Sequence, residues 1–142
     1  MTPRMGNPSL VVRGSLAPLL ELTKSLSAVG VPLDMLRLCV SQVNGRVIKI
    51  PSDTDLADER LREVRDWRTA GCFTDGERAA LALAEAATDL RGPDDPVPDE
   101  IWDEAARHWN EAELGALVLQ IGLVNLWNRV NVSTNQEPAE WR

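Results

Sequence analysis

Residues 114–127 are apolar at almost every position, interrupted by Gln120 and Asn125. Asn110-x-x-Glu113 just before them is a helix-start pattern in which each side chain can serve the other's backbone N–H. A helix with no polar face must be surrounded, by its own domain or by another subunit. The run is too short and too interrupted to cross a bilayer, so no membrane span is expected. A chain that carries such a helix needs other helices around it, and the expectation is an all-α domain.

The rest of the chain supplies them. Ser15 caps a segment with Pro18 in its first turn, and Leu19, Leu22, Leu26 and Val29 recur at helical spacing until Gly30 stops it. Pro32 opens the next segment, whose buried stripe is Leu33, Leu36, Val40 and Val43, ending at Gly45. Residues 46–50 alternate and are β-branched, and Pro51 cannot sit inside a helix begun at residue 46, so they read as a loop. A helix start is expected near Asp53. After it, Asp55, Asp58 and Glu59 lead into Arg60, Arg62, Arg65 and Arg68, which read as a solvated face with i,i+4 pairs. Thr74-Asp75-Gly76-Glu77 is a capping box for an Ala/Leu-rich helix over 77–90; residues 91–98 are a linker, and Pro98 opens a shorter helix to Trp109. The sum is about six helices and no sheet in one domain spanning 1–142, with 1–14 as a lead arm and the tail from 134 loose. The apolar patch at Leu10-Val11-Val12 is either a packed arm or a frayed end.

Charge and composition narrow the function classes. Residues 1–73 carry ten Lys/Arg and eight Asp/Glu, whereas residues 74–142 carry five and fourteen, for a net charge of -7. An acidic chain without a dense basic run repels nucleic acid. One histidine and two cysteines 33 residues apart cannot build a structural zinc site, and no metal or cofactor is expected. No signal-peptide pattern is visible, and the reading is a cytoplasmic protein with reduced thiols.

Three segments carry a resemblance. The stretch over 34–45 ends in Ser41-Gln42-Val43-Asn44-Gly45; Phe73-Thr74 leads into Glu77-Arg78-Ala79-Ala80-Leu81; and Asn125-x-Trp127-Asn128-Arg129-x-Asn131 closes the last helix. Together, in this order, they resemble the carboxymuconolactone decarboxylase/alkylhydroperoxidase-D-like family. The resemblance implies an all-α bundle that assembles as dimers, trimers or larger rings. In that family the glycine is followed by Cys-x-x-Cys and then a histidine; here those positions hold Arg46, Lys49 and Asp53. The family's proton-relay glutamate falls at Asp34. Thiol peroxidase chemistry needs a low-pKa thiolate and a resolving partner, and Arg46 and Lys49 are neither. The implied class is a degenerate member without the redox motif.

The candidate groups each have a plainer role beside the chemical one. Asp34 is an acid–base candidate, or merely complements a helix dipole. Arg46 and Lys49 could hold an anionic substrate, with Lys49 as an acid if desolvated, or form an exposed basic loop. Glu85, on an Ala/Leu helix, is a general-acid candidate or bonds a helix end or Arg129. Asp53 is held with Glu85 in reserve. Trp67 and Trp127 could wall a pocket for an aromatic ligand, or be core; His108 reads as a dipole partner. Cys39, flanking a buried stripe, reads as a structural thiol. Asn44, Asn125, Asn128 and Arg129 read, from the family pattern, as structural hydrogen-bonders, with Asn44 also a substrate contact. The functional expectation is a cofactor-free acid–base enzyme (decarboxylase, isomerase or cyclase type) on a small anionic or polyketide-like metabolite. The alternative is a catalytically silent homologue for ligand binding or assembly.

Overall fold

A computed structural model describes residues 2–92, 94–138 and 141. Residues 1, 139, 140 and 142 of the expected arm and tail, and position 93 of the linker, lie outside that set. Six α-helices and one 3-10 helix make up the described residues, with no strand among them: α1 (Pro8–Val11), α2 (Leu16–Ser27), α3 (Leu33–Val43), the 3-10 helix (Glu59–Asp66), α4 (Asp75–Thr88), α5 (Asp99–His108) and α6 (Glu111–Ser133). The all-α expectation holds. No described helix is long and apolar enough to cross a membrane.

α3 is the hub, packing against α4, α6 and the 3-10 helix, while α5 covers α4. The middle of its stripe does this: Leu36 and Val40 are 0 % exposed and share one core with the fully buried Leu81 and Leu117, whereas Leu33 and Val43 are only half-buried. Burying one such leucine is worth about 2–3 kcal/mol. The alanines of α4, with Ala80 and Ala84 fully buried, let neighbouring backbones approach closely. Both capping boxes form, Thr74 with Glu77 and Asn110 with Glu113. Trp109 Nε1 donates to the Gly76 carbonyl at 2.9 Å, tying α5 to the start of α4.

The helix expected near Asp53 begins later, at Glu59, and is 3-10. Asp58 caps it, its side chain accepting from Arg60 N at 3.0 Å. Its buried positions are Leu61 and Val64, followed by buried Trp67. That spacing of three suits three residues per turn, where every third side chain falls on one line. The arginines in and after it form a solvated face only in part, since Arg65 and Arg68 are exposed but Arg60 and Arg62 are half-buried. Arg60 bridges Asp58 and Glu77, Arg62 binds loop carbonyls, and Arg68 pairs with Glu85.

α6 is only half covered by its own chain. Leu114, Leu117, Ile121 and Val124 are buried, but Gly115, Val118, Leu119, Gly122, Leu126 and Val132 face outward, Leu119 at 51 % exposure. The lead arm is tied by backbone while its apolar patch points out. Arg4 N donates to Thr134 O at 2.8 Å and Gln136 Nε2 to Met5 O at 2.9 Å, yet Leu10 is 71 % exposed. Thr134 and Gln136, in the segment expected to be loose, are thus hydrogen-bonded to the body.

Candidate functional site

The end of α3 fixes where the loop goes. Gly45 takes a φ of +70°, Gly45 N donates to Gln42 O and Arg46 N to Ser41 O at 2.7 Å. This pair of bonds satisfies the last carbonyls of the helix and turns the chain sharply; a side chain at Gly45 would be strained in that left-handed conformation. The chain then runs back over α3. Arg62 holds it down, with Nη1 donating to Pro51 O at 3.0 Å and Nη2 to Thr54 O at 2.6 Å.

Between this loop, α3 and the 3-10 helix lies a cleft of about 220 Å³. Leu38, Val47, Ile48, Ile50, Leu61 and Val64 form its aliphatic walls; Gln42, Arg62 and Arg65 are its polar lining. Gln42 reaches Arg65 O at 3.5 Å. The exposed Arg65 guanidinium makes no hydrogen bond or ion pair with the described residues, so it is the one uncommitted charge on the cleft. No carboxylate, histidine or thiol lines it.

A second cleft, of about 390 Å³, is lined by Val43, Arg68, Ala82, Glu85, Ala86, Asp89 and Ile101. Its charges are spoken for. Arg68 forms a short ion pair with Glu85, Trp67 Nε1 reaches Glu85 Oε1 at 3.4 Å, and the Arg68 guanidinium stacks 4.4 Å from the Trp67 ring centre. Asp89 pairs with Arg91, which lowers its pKa through the hydrogen bond. Cys39 lies within the field of the Arg68–Glu85 pair, with Sγ 3.8 Å from Leu81 O. Burial first, then the negative charge of Glu85, pushes its thiol up to about 12. A thiol held there stays protonated and is no nucleophile. Cys72 is exposed, and both cysteines are free.

The residues singled out by sequence fall in several places. Asp34 is exposed in the first turn of α3, with roughly 14 Å of helix axis between it and Val43. Lys49 and Asp53 are exposed on the loop. Arg46 is half-buried, with Nη2 donating to Gln136 O at 2.5 Å. None of these four lines either cleft; Glu85 lines the second. Glu85 takes Arg68 as its partner, while Arg129 donates to Asn125 Oδ1 at 2.9 Å. Asn44 donates to the same oxygen at 2.9 Å, and Asn125 Nδ2 reaches Thr88 Oγ1 at 3.2 Å, so this network joins the ends of α3 and α4 to the body of α6. Trp67 is buried and Trp127 is half-buried against the core. His108 Nε2 lies 3.0 Å from Glu104 Oε1 in the last turn of α5. Among the described residues no group of three or more His, Cys, Asp or Glu side chains is arranged to hold a metal ion.

Sequence reasoning passed over the walls of the first cleft, Leu38, Leu61 and Val64, and took Arg62 and Arg65 for part of a solvated face. One signal was available: Leu61, Val64 and Trp67 recur every three residues, which marks a 3-10 segment facing the core.

No family model matches the chain. It is similar to two uncharacterised proteins. YdfG of Bacillus subtilis is 29 % identical over 82 % of this chain and 82 % of its own length. YnjA of Escherichia coli is 35 % identical over 87 % of this chain, which spans 64 % of YnjA. Two solved structures share the fold. One is a protein of unknown function from Agrobacterium tumefaciens, described as an AhpD-type antioxidant defence candidate. It is 22 % identical, with a TM-score of 0.77 over 98 % of this chain and 100 % of that one. The other is a cysteine-to-alanine variant of the debrominase Bmp8 in complex with 2,3,4-tribromopyrrole. It is 21 % identical, with a TM-score of 0.67 over 87 % of this chain and 70 % of that one. The fold is AhpD-like.

Proposed function

We propose that this chain handles a small, largely aliphatic or aromatic monoanion without thiol chemistry, and that the geometry favours binding over turnover. The observation that carries this is the first cleft. Its walls are aliphatic, its loop is pinned by Arg62, and its one uncommitted charge is the Arg65 guanidinium. Apolar walls with a single charged anchor suit a ligand with an apolar body and one carboxylate or enolate. An arginine stays protonated at any ordinary pH, so the lining has an anchor and no base. The family resemblance supports the same outcome, because the redox positions hold Arg46 and Lys49. The neighbour solved with tribromopyrrole supports the fold's capacity for a small ring.

The test is calorimetric titration of the full chain with benzoate as probe. Saturable binding that falls in Arg65→Ala, and that disappears when Leu38→Trp fills the cleft, supports the reading. Binding indifferent to both variants, or no binding of benzoate or any comparable monoanion, overturns it.

A second reading keeps acid–base catalysis and rests on Glu85, a carboxylate that lines the second cleft. For Glu85 to act, a substrate anion must take its place on Arg68, releasing the carboxylate to accept a proton from the substrate and later return it. We also propose that a second copy of the chain covers the outward stripe of α6, since so many apolar side chains in one row resemble an interface more than a solvated surface. Light scattering of the wild type and of Leu119→Lys reads this directly: a drop in mass confirms it, and a monomeric wild type refutes it.

A further inference from the structure

Two buried side-chain nitrogens have no hydrogen-bond partner among the described residues: Arg46 Nε and Asn128 Nδ2. Both are donors, and both belong to residues anchored on Ser41, itself 1 % exposed. Arg46 N donates to the Ser41 carbonyl at 2.7 Å, and Ser41 Oγ donates to Asn128 Oδ1 at 3.4 Å, leaving the amide N–H groups of Asn128 without a protein acceptor. Asn128 is only 9 % exposed. A donor left unmet at such a position is costly, so two on residues that both bond to Ser41 point to an acceptor that the described chain does not provide.

Charge says what kind of acceptor. The half-buried Arg46 guanidinium has one partner, the Gln136 carbonyl, and forms no ion pair with the described residues. The nearby acidic side chains are Asp34 on α3, Asp53 on the loop and Glu137 beside Gln136; all three are exposed, and none forms an ion pair with Arg46. A partly desolvated cation with a single neutral partner lacks the counter-charge that such groups ordinarily have. A neutral acceptor would meet the two donors and leave the charge uncompensated; an anion meets both needs. The segment after α6 closes over this place: Gln136 N donates to Asn131 O at 2.8 Å, its side chain reaches Met5 O, and its carbonyl takes Arg46.

We propose that Arg46 and Asn128, set by Ser41, form a buried site for a monovalent anion, presenting either one carboxylate oxygen or a halide to the two N–H groups beneath the Gln136 segment. The site is separate from the aliphatic cleft and does not depend on what that cleft holds. Its position beneath the joined ends of the chain gives the anion a structural consequence, since its loss leaves Arg46 and the segment it holds less firmly fixed.

The experiment is a titration of the ¹⁵N-labelled full chain with formate and, separately, bromide, at constant ionic strength balanced with sulfate. The readout is the arginine Nε–H resonance that vanishes in Arg46→Lys. A saturable shift of that resonance is expected. Formate alone identifies a carboxylate site, bromide alone a halide site, and both a site open to either. Asn128→Asp places a fixed carboxylate beside Arg46 and should abolish the response while preserving the helical circular dichroism. Asn128→Leu, which removes the donor without supplying charge, should weaken binding by about tenfold or more. If Asn128→Asp fails to fold, the Arg46→Lys chain decides by melting temperature, which should no longer rise with either anion. No saturable shift with either anion in the wild type overturns the proposal. So does an unchanged response in Asn128→Asp, or an anion-dependent melting temperature that persists in Arg46→Lys.

Discussion

The two clefts beside α3 are built from the same ingredients in different proportions. The first is walled by aliphatic side chains and leaves Arg65 uncommitted; the second is rich in charge, and each of its charged groups already has a partner. Free volume and charge therefore do not by themselves mark a functional site. An ion pair such as Arg68–Glu85 is a settled arrangement, and a ligand would have to compete with it. An unengaged guanidinium over an apolar wall has no such competitor. The difference traces to α3, which presents Leu38 and Gln42 to one cleft and Val43 to the other, with Cys39 buried near the second.

The sharpest contrast is expected at the thiols. With its thiol pushed to about 12 by burial and Glu85, Cys39 holds a thiolate fraction of roughly one in ten thousand at about pH 8. Ellman's reagent should count one thiol per native chain, Cys72, and two after denaturation. Rapid labelling of both would mean that the second cleft opens to solvent and that its charges are not settled. The shift also sets a pH dependence. The folded pKa lies above the unfolded one, so the protonated thiol contributes stability that is complete below the ordinary thiol range. That contribution is lost as pH rises toward about 12. In Cys39→Ala this part of the alkaline loss should be absent, as read from urea melts across that range.

Next in size is Arg62→Met. Its guanidinium holds the carbonyls of Pro51 and Thr54, and hydrogen bonds from a charged donor contribute about 1.5–3 kcal/mol. Destabilisation of about 2 kcal/mol is expected, together with faster amide exchange confined to 46–54 and loss of benzoate binding. Stability lost without faster exchange in the loop would show that Arg62 supports the core and not the cleft.

What could be read from the chain beforehand depended on how local the cause was. The helix starts at Thr74 and Asn110, the stop at Gly45 and the middle of the α3 stripe are set by residues within a turn of one another, and each forms as expected. Leu33 and Val43, at the ends of that stripe, are only half-buried. The 3-10 helix was displaced because Asp53 and Asp58 are both competent caps; the choice falls to Asp58 once Arg62 holds the carbonyls at Pro51 and Thr54. The arginine partners were less visible still. Arg60 reaches Glu77 and Arg68 reaches Glu85, each 17 residues on, and Arg62 binds backbone oxygens, which carry no residue identity to read. The candidate site suffered most from this. Asp34, Lys49 and Asp53 were chosen by the register of a motif whose helix start lies later here, and the cleft walls follow the path of a loop that only the tertiary clamp determines.

Arg65→Ala comes third. The side chain is exposed and makes no bond to the described residues, so stability should change by less than about 0.5 kcal/mol. Benzoate affinity, in contrast, should fall by about tenfold, the worth of one solvent-accessible charge-assisted contact. Equal loss of both would place Arg65 in the fold; loss of neither would take the anchor away from the first cleft.

The smallest effect, and the one that decides between the clefts, is expected from Glu85→Gln. Arg68 is 63 % exposed, so the pair is screened and its loss should cost no more than about 1 kcal/mol. The same change removes a negative neighbour that raises the Cys39 thiol, so native labelling of Cys39 should quicken slightly while Cys72 is unaffected. If the chain proves to turn over a substrate, this variant separates the two readings. Activity abolished with stability retained would make Glu85 the proton-transfer group and the second cleft the reactive one. Activity untouched would leave the Arg68–Glu85 pair as scaffold and return the chemistry to the aliphatic side of α3, where the only fixed charges are guanidinium groups and any proton must come from the ligand or from water.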